Sequence, residues 1–216
     1  MESVIQTITI YAIPLIFGIT LHEAAHAYVA RYFGDSTAYL AGRMTLNPIP
    51  HIDLFGTIVM PVLILLSAAA LAGPLMLFGW AKPVPVNWGN LRRPKRDMAW
   101  VALAGPAANL VMAILWVLFT HVADAIGLGG AEFWIQVAQA GVNVNLVLMA
   151  LNLLPLLPLD GGRILFSLLP NKAAMQYARM EPYGMIVILL LMFTGILWKL
   201  MLPFLYLGQG VVTWFL

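Results

Sequence analysis

Apolar residues fill this chain in long blocks separated by short polar stretches, and the block lengths decide the architecture. Crossing a hydrocarbon core takes about 20 residues of helix. The first block covers 4–29 and is interrupted only in its last third, by His22, Glu23 and His26. A second, 56–80, contains Pro61 and Gly73-Pro74. A third covers 98–119, a fourth 133–159 and a fifth 183–202, with a hydrophobic tail beyond Pro203. The pattern predicts an all-α polytopic membrane protein with about four transmembrane helices. Block 4–29 follows Glu2 rather than a basic head and offers no small-residue cleavage site, so it reads as a span and not a signal peptide. Residues 31–55 mix Thr, Asn and two Pro in short alternating pieces, which predicts turns and a small β-hairpin.

Composition removes the main alternatives. Hydrophobic residues make up 62% of the 216 and charged residues 9%, against roughly 45–50% and about 25% in soluble domains. So little charge cannot clothe a water-soluble globule, and so apolar a chain is not disordered. A net charge of +2 gives no reason to expect nucleic-acid binding. With no Cys, disulfides, thiol catalysis and Cys-ligated metals are excluded, and any metal must be held by His and carboxylates. No linker or low-complexity tract divides the chain, so we expect a single membrane domain over 1–216.

The sharpest chemical signal is His22-Glu23-Ala24-Ala25-His26. On a helix, positions i and i+4 share a face, so both imidazoles can bind one metal ion. Glu23 projects about 100° away, where it reaches a bound water rather than the metal. This is the arrangement of zinc metallohydrolases with Glu as general base. Three ionisable groups inside a span are costly, which makes each a functional candidate.

A zinc enzyme needs a third protein ligand and an open fourth position. The choice lies among His51, His121 and the nine acids, and Asp160 is the best candidate. It ends the run from Asn152, in which Pro155 and Pro158 break the helix, and Gly161-Gly162 follow it. Irregular backbone at membrane depth is tolerated only beside protein or a wet cavity, and the glycines allow a tight turn that brings a short Asp close to a metal. A helix C-terminus capped by Gly at the interface also explains the pattern.

The pair His22-Glu23-x-x-His26 and Asn152-x-x-Pro155-x-x-x-Leu159-Asp160-Gly161 resembles the site-2 protease family of intramembrane zinc metalloproteases. Three further segments resemble its compact members: Gly42-Arg43-x-Thr45-x-Asn47-Pro48-x-x-His51-Ile52-Asp53, Lys82-Pro83-Val84-Pro85-Val86-Asn87, and Ala104-Gly105-Pro106-x-x-Asn109. Leu54 and Leu157 depart from the prolines often found there. The resemblance implies one zinc per chain held by His22, His26 and Asp160, with Glu23 activating water. It implies that Asn109 holds the substrate as an extended strand or stabilises the oxyanion. It also implies a catalytic core over about 4–165 and single-span membrane proteins as substrates, cleaved to release signalling fragments or to clear remnant signal peptides. A helical substrate must unwind before attack, and strand addition could offset its lost hydrogen bonds. Residues 38–56 are the expected edge.

Other polar residues admit two readings each. His51 lines the cleft or holds a turn. Asp53 matches a family position and also suits an Asx-turn. His121 sits near Asp124 and is expected to be solvated. Asn152 bonds a neighbouring span or backbone freed by Pro155. Trp80, Trp88, Trp100, Trp134, Trp198 and Trp214 lie near span ends, as interfacial anchors do.

An intramembrane divalent-metal transporter or metal-binding membrane protein is the alternative function, since such residues also mark ion pathways. It is disfavoured because no paired half-repeats are visible. Both ligand-bearing spans carry their ligands at C-terminal ends, so 4–29 and 133–159 run in one direction. Arg31, Arg43, Arg163, Lys172 and Arg179 follow those ends, which places them in the cytoplasm by the positive-inside rule. Span 98–119 then runs outward, loop 81–97 is cytoplasmic, and 56–80 enters and returns as a re-entrant segment turning near Gly73-Pro74. The expected location is the cell membrane, with the active site opening to the cytoplasm.

Overall fold

The computed structural model describes residues 2–59, 82–127 and 131–216. In a bilayer each backbone amide needs an internal partner, which turns apolar blocks into helices. The helices are α1 (Glu2–Tyr32), α2 (Thr37–Leu40), α3 (Pro94–Ala125), α4 (Ala131–Asn152), α5 (Asp160–Leu168), α6 (Asn171–Ala178), α7 (Glu181–Phe193) and α8 (Ile196–Val212). Among the described residues, four helices are long and apolar enough to cross a membrane: Gln6–Tyr32, Pro94–Ala125, Glu132–Asn152 and Ile196–Phe215. The protein is a multi-pass membrane protein.

Helices α1, α3 and α4 form a three-helix core, with α8 packed on α4. Contact is close where side chains are small: a Cβ on Gly141 of α4 would fall 2.4 Å from the Trp116 ring of α3. One apolar cluster joins Ala113 and Val117 to Leu146, Met149, Ala150, Leu154, Ile188, Leu197, Met201 and Leu205. A second joins Ile10 to Val137 and Ala140. Helix α3 starts with Pro94, whose missing N–H is not needed there, and Asp97 Oδ2 accepts the Arg93 N–H at 2.7 Å.

Helices α1 and α4 end together, where His22 and His26 meet Asp160. Helix α3 starts at that same end, since Lys95 Nζ donates to Asn171 Oδ1 at 2.9 Å and to Leu169 O. The last turn of the chain reaches the opposite end, where His121 Nε2 donates to Phe215 O at 3.0 Å. His121, expected to be solvated, is exposed and also bonds the C-terminal turn.

Two expectations need correction. No strand occurs among the described residues, so the hairpin is absent from 31–55. That stretch is helix α2, a 3-10 turn at Ile49–His51 and a π-helical turn at Leu54–Val59. Thr45 Oγ1 takes the Asn47 N–H and Asn47 Oδ1 takes the Ile49 N–H, while Pro48 and Pro50 have none to give. Side-chain turns thus use the donors a ladder would need. Within block 133–159 the helix ends at Asn152, in line with the break expected at Pro155 and Pro158, which have no N–H to donate. Block 183–202 is split at Gly195, whose φ of 70° ends α7 before α8 begins. The 13 residues of α7 reach about 20 Å, short of a crossing. Pro203, read as a span end, lies inside α8. The re-entrant reading of 56–80, with its Gly73-Pro74 turn, and the Trp80 anchor concern a stretch in which 60–81 lies outside the described residues.

Candidate metal centre

His22 and His26 stand one turn apart on α1, and their Nε2 atoms are 3.0 Å from each other. Asp160, the first residue of α5, brings Oδ2 to 3.2 Å from His22 Nε2 and 3.3 Å from His26 Nε2. The two ligand-bearing segments meet with α3 packed closely behind them. A Cβ on Gly105 would lie 2.5 Å from both Nε2 atoms, so only glycine fits. Asp160 sits at a helix start and not at a capped helix end. Gly161 and Gly162 keep ordinary negative φ, unlike Gly34, Gly42, Gly127 and Gly195. Their value is the missing Cβ: at Gly161 it would fall 2.2 Å from Leu153 O, and at Gly162 2.5 Å from Leu157 N. The turn-forming role expected of them is replaced by close packing of α5 on the 153–157 break.

The outer hydrogen bonds fix where the imidazole protons lie. His26 Nδ1 is 2.7 Å from Val101 O, a carbonyl that only accepts, so Nδ1 carries the proton. His22 Nδ1 is 2.6 Å from Asn109 Oδ1 and donates to it. In the neutral imidazoles both Nε2 atoms therefore present lone pairs to the same point, and Asp160 Oδ2 is buried with no assigned hydrogen bond. Three lone-pair donors facing one another call for a cation between them. A tetrahedral ion with bonds of about 2.0–2.1 Å spaces its ligand atoms about 3.3 Å apart, which these separations match. The residues fit zinc, with His22, His26 and Asp160 as its holders, the trio the sequence pointed to. Among the described residues this is the group of His and acids close enough to share an ion.

Glu23 points elsewhere. Its Oε2 accepts the Val84 N–H at 2.7 Å, from an extended stretch 82–87 that runs past the site. That stretch is held by Lys82 N to His51 O at 3.0 Å, Arg43 Nη2 to Lys82 O at 2.8 Å and Asn87 N to Asp35 Oδ2 at 2.8 Å. Glu23 and the three ligands line one cavity of about 480 Å³, with Val84, Trp88, Leu151, Met185 and Ile188 as its apolar wall. Asn152 also lines it and donates to Leu148 O at 3.0 Å, within its own helix.

Asn109, expected to face a substrate strand or an oxyanion, is 0% exposed. Its Nδ2 donates to Gly18 O at 3.1 Å and Asn145 Oδ1 at 3.0 Å, and its Oδ1 serves His22. Its amide is spent inside the bundle. His51 is buried and its Nε2 donates to Thr45 O at 3.0 Å, so it holds a turn and stands outside the ligand group. Asp53 Oδ1 accepts the Gly56 N–H at 2.7 Å, the turn role.

Three functional neighbours gave no clear signal in the sequence. Asn145 is a polar residue in an apolar span, which was the available clue. Arg163 reaches the cavity from α5, donates to Glu181 Oε1 at 2.6 Å and stacks 5.2 Å from the Trp88 ring centroid. Asp35, 1% exposed, accepts from Thr37 N, Thr37 Oγ1, Asn90 Nδ2 and Asn87 N. Burial alone would raise its pKa. The hydrogen bonds from Thr37, Asn90 and Asn87 outweigh burial and hold the carboxyl below the ordinary value.

Comparison with known proteins agrees with this geometry. Residues 10–195 match the profile described as Peptidase family M50. The chain is 40% identical over 211 residues to a Bacillus subtilis (strain 168) protein named "Putative zinc metalloprotease YwhC", covering 93% of this chain and 87% of that one. It is 32% identical over 183 residues to the similarly named Rip2 of Mycolicibacterium smegmatis, covering 83% of this chain and 64% of Rip2. The Mycobacterium tuberculosis H37Rv Rip2 is 31% identical over 172 residues, with 79% and 61% covered. No solved structure matches the chain.

Proposed function

The chain belongs to peptidase family M50, the site-2 proteases, and from that premise we propose that it hydrolyses peptide bonds in the membrane-spanning segments of single-span proteins. As a member it is a zinc metallopeptidase of the membrane. One observation carries the finer reading: His22 Nε2, His26 Nε2 and Asp160 Oδ2 converge on one point, in a cavity that also contains Glu23. The catalytic core is 4–165, one zinc is held per chain, and the site end of the bundle faces the cytoplasm. Ten of the eleven basic residues, all but Lys199, lie between the last turn of α1 and the first turn of α3 or between α4 and α7, which supports that orientation.

Zinc, when bound, supplies Lewis-acid activation of water and of the scissile carbonyl. Glu23 does the proton work. The Val84 N–H orients the carboxylate through Oε2, and Oε1 takes a proton from the attacking water and returns it to the leaving amine. The apolar wall formed by Leu151, Met185 and Ile188 receives an unwound, uncharged stretch of substrate. The released pieces are signalling fragments or cleared remnants of signal peptides.

The test is cleavage of candidate single-span substrates by detergent-solubilised protein, with and without a chelator. Wild type should cleave, lose activity with the chelator and regain it with zinc. Glu23→Gln should keep zinc and cleave slower by about 10²–10⁴-fold. Cleavage indifferent to both the chelator and Glu23→Gln overturns the reading.

A further inference from the structure

We propose that Asn109 and Asn145 form a relay that positions His22, fixing it as the Nδ1–H tautomer so that Nε2 offers its lone pair to the metal. The inference deepens the assignment of His22, His26 and Asp160 as zinc ligands and rests on it. The relay joins three helices. It begins at two backbone carbonyls, which only accept hydrogen bonds. Asn145 Nδ2 donates to Gly141 O at 2.8 Å, so its Oδ1 must face Asn109. Asn109 Nδ2 then has two acceptors, Asn145 Oδ1 at 3.0 Å and Gly18 O at 3.1 Å, which use both its protons. Its Oδ1 is left for His22 Nδ1 at 2.6 Å, and that contact is a hydrogen bond only if Nδ1 carries the proton.

Both Asn residues are 0% exposed, so no bulk water competes for these positions, and an amide flip would set oxygen against oxygen at Gly18. The fit around the relay is tight. A Cβ on Gly18 would stand 2.9 Å from Asn145 Oδ1. The two histidines are thus supported differently: His26 rests on the Val101 carbonyl, which no side-chain change removes, while His22 depends on two side chains. Groups bonded to the far nitrogen of a metal-ligating His set its tautomer and orientation, and losing them typically costs 10–100-fold in affinity. Asn109 and Asn145 are positioning residues here, and Asn145 acts only through Asn109.

The experiment uses full-length protein labelled with ¹⁵N-histidine in detergent micelles. Imidazole ¹⁵N shifts of the metal-free wild type, assigned with His22→Ala, should show His22 protonated at Nδ1. Finding it protonated at Nε2 overturns the proposal without any variant. Zinc affinity is then measured by chelator competition for wild type, Asn109→Leu, Asn145→Leu and the double variant, with thermal unfolding as the check on folding. Asn145→Leu should weaken zinc binding by about tenfold and Asn109→Leu by about 10–100-fold. Adding Asn145→Leu to Asn109→Leu should change affinity no further. Additive losses, or a melting temperature that falls while affinity holds, reduce the pair to interhelix packing and overturn the proposal. Wild type that binds no zinc at all, with His22 still in the Nδ1–H form, instead refutes the metal assignment and leaves the relay standing.

Discussion

The Val84 amide donates to Glu23 Oε2 at 2.7 Å across 61 residues of sequence, and the residues on either side of Val84 are prolines. Pro83 and Pro85 have no N–H, so between residues 82 and 86 the amides leave the backbone on Val84's side. The stretch can offer Glu23 a donor while Pro83 and Pro85 have no N–H to give along the other edge. Val84→Pro removes that donor. We expect zinc content to stay at one per chain and kcat to fall about tenfold, because an unanchored carboxylate spends less time where it can take a proton. Unchanged kcat would show that the bond does not orient Glu23.

Gly105→Ala tests the closeness of α3 to the ligands. The added methyl would sit 2.5 Å from both Nε2 atoms. Overpacking of this kind costs about 1–3 kcal/mol, which a bundle of this size survives. The variant should remain helical by circular dichroism and lose its zinc by elemental analysis. Full zinc occupancy would mean that α3 can draw back.

Gly161→Ala should be nearly as damaging as Asp160→Ala. A Cβ there meets Leu153 O at 2.2 Å and Leu154 O at 2.4 Å, so α5 must shift and carry Asp160 away from the histidines. Both variants should lack zinc and cleavage. Gly161→Ala with wild-type zinc affinity would show that the 153–157 break yields instead.

Asp35 gives a pH-dependent prediction. Its carboxyl is held below the ordinary pKa of 3.8 in the folded state. A depressed pKa contributes stability that is complete above the unfolded value and is lost as pH falls through the folded one. Asp35→Asn should therefore melt below wild type at neutral pH, by about 1–3 kcal/mol. That gap should shrink as pH drops under 3.8. A gap constant from pH 7 to pH 3 would show that the charge contributes nothing.

Orientation is tested by single cysteines, which this chain's lack of Cys makes clean. Arg96→Cys should react with an impermeant thiol reagent only after the cytoplasmic side is opened, and Ile126→Cys from outside intact cells. The reverse pattern would turn the bundle over.

Much of this centre was legible because charge in an apolar span is conspicuous. His22, Glu23, His26 and Asp160 stood out against hydrocarbon, and the breaks at Pro155 and Pro158 located the end of α4. What escaped was anything decided by contact rather than by local pattern. Gly161 and Gly162 read as turn formers because a sequence does not show which carbonyls will lie 2–3 Å from a missing Cβ. Asn109 read as a substrate contact because its partners, His22 and Asn145, lie 87 and 36 residues away. Residues 31–55 alternate like a strand, yet Thr45 and Asn47 take the amides a hairpin would use. Gly195 lies in unbroken hydrophobic sequence, and only its positive φ divides α7 from α8.

The metal ligands come from two places: a pair on one turn of α1, and a third that the chain supplies 134 residues after His26, at Asp160. At 5–20 residues per second, a ribosome takes roughly 7–27 s to cover that distance. Throughout that interval the histidine pair has no Asp160 to complete it. The proteolytic centre is completed only when α4 and the turn beyond it have been made and docked. Splitting the ligand set across the chain therefore ties completion of the centre to completion of the bundle that holds it.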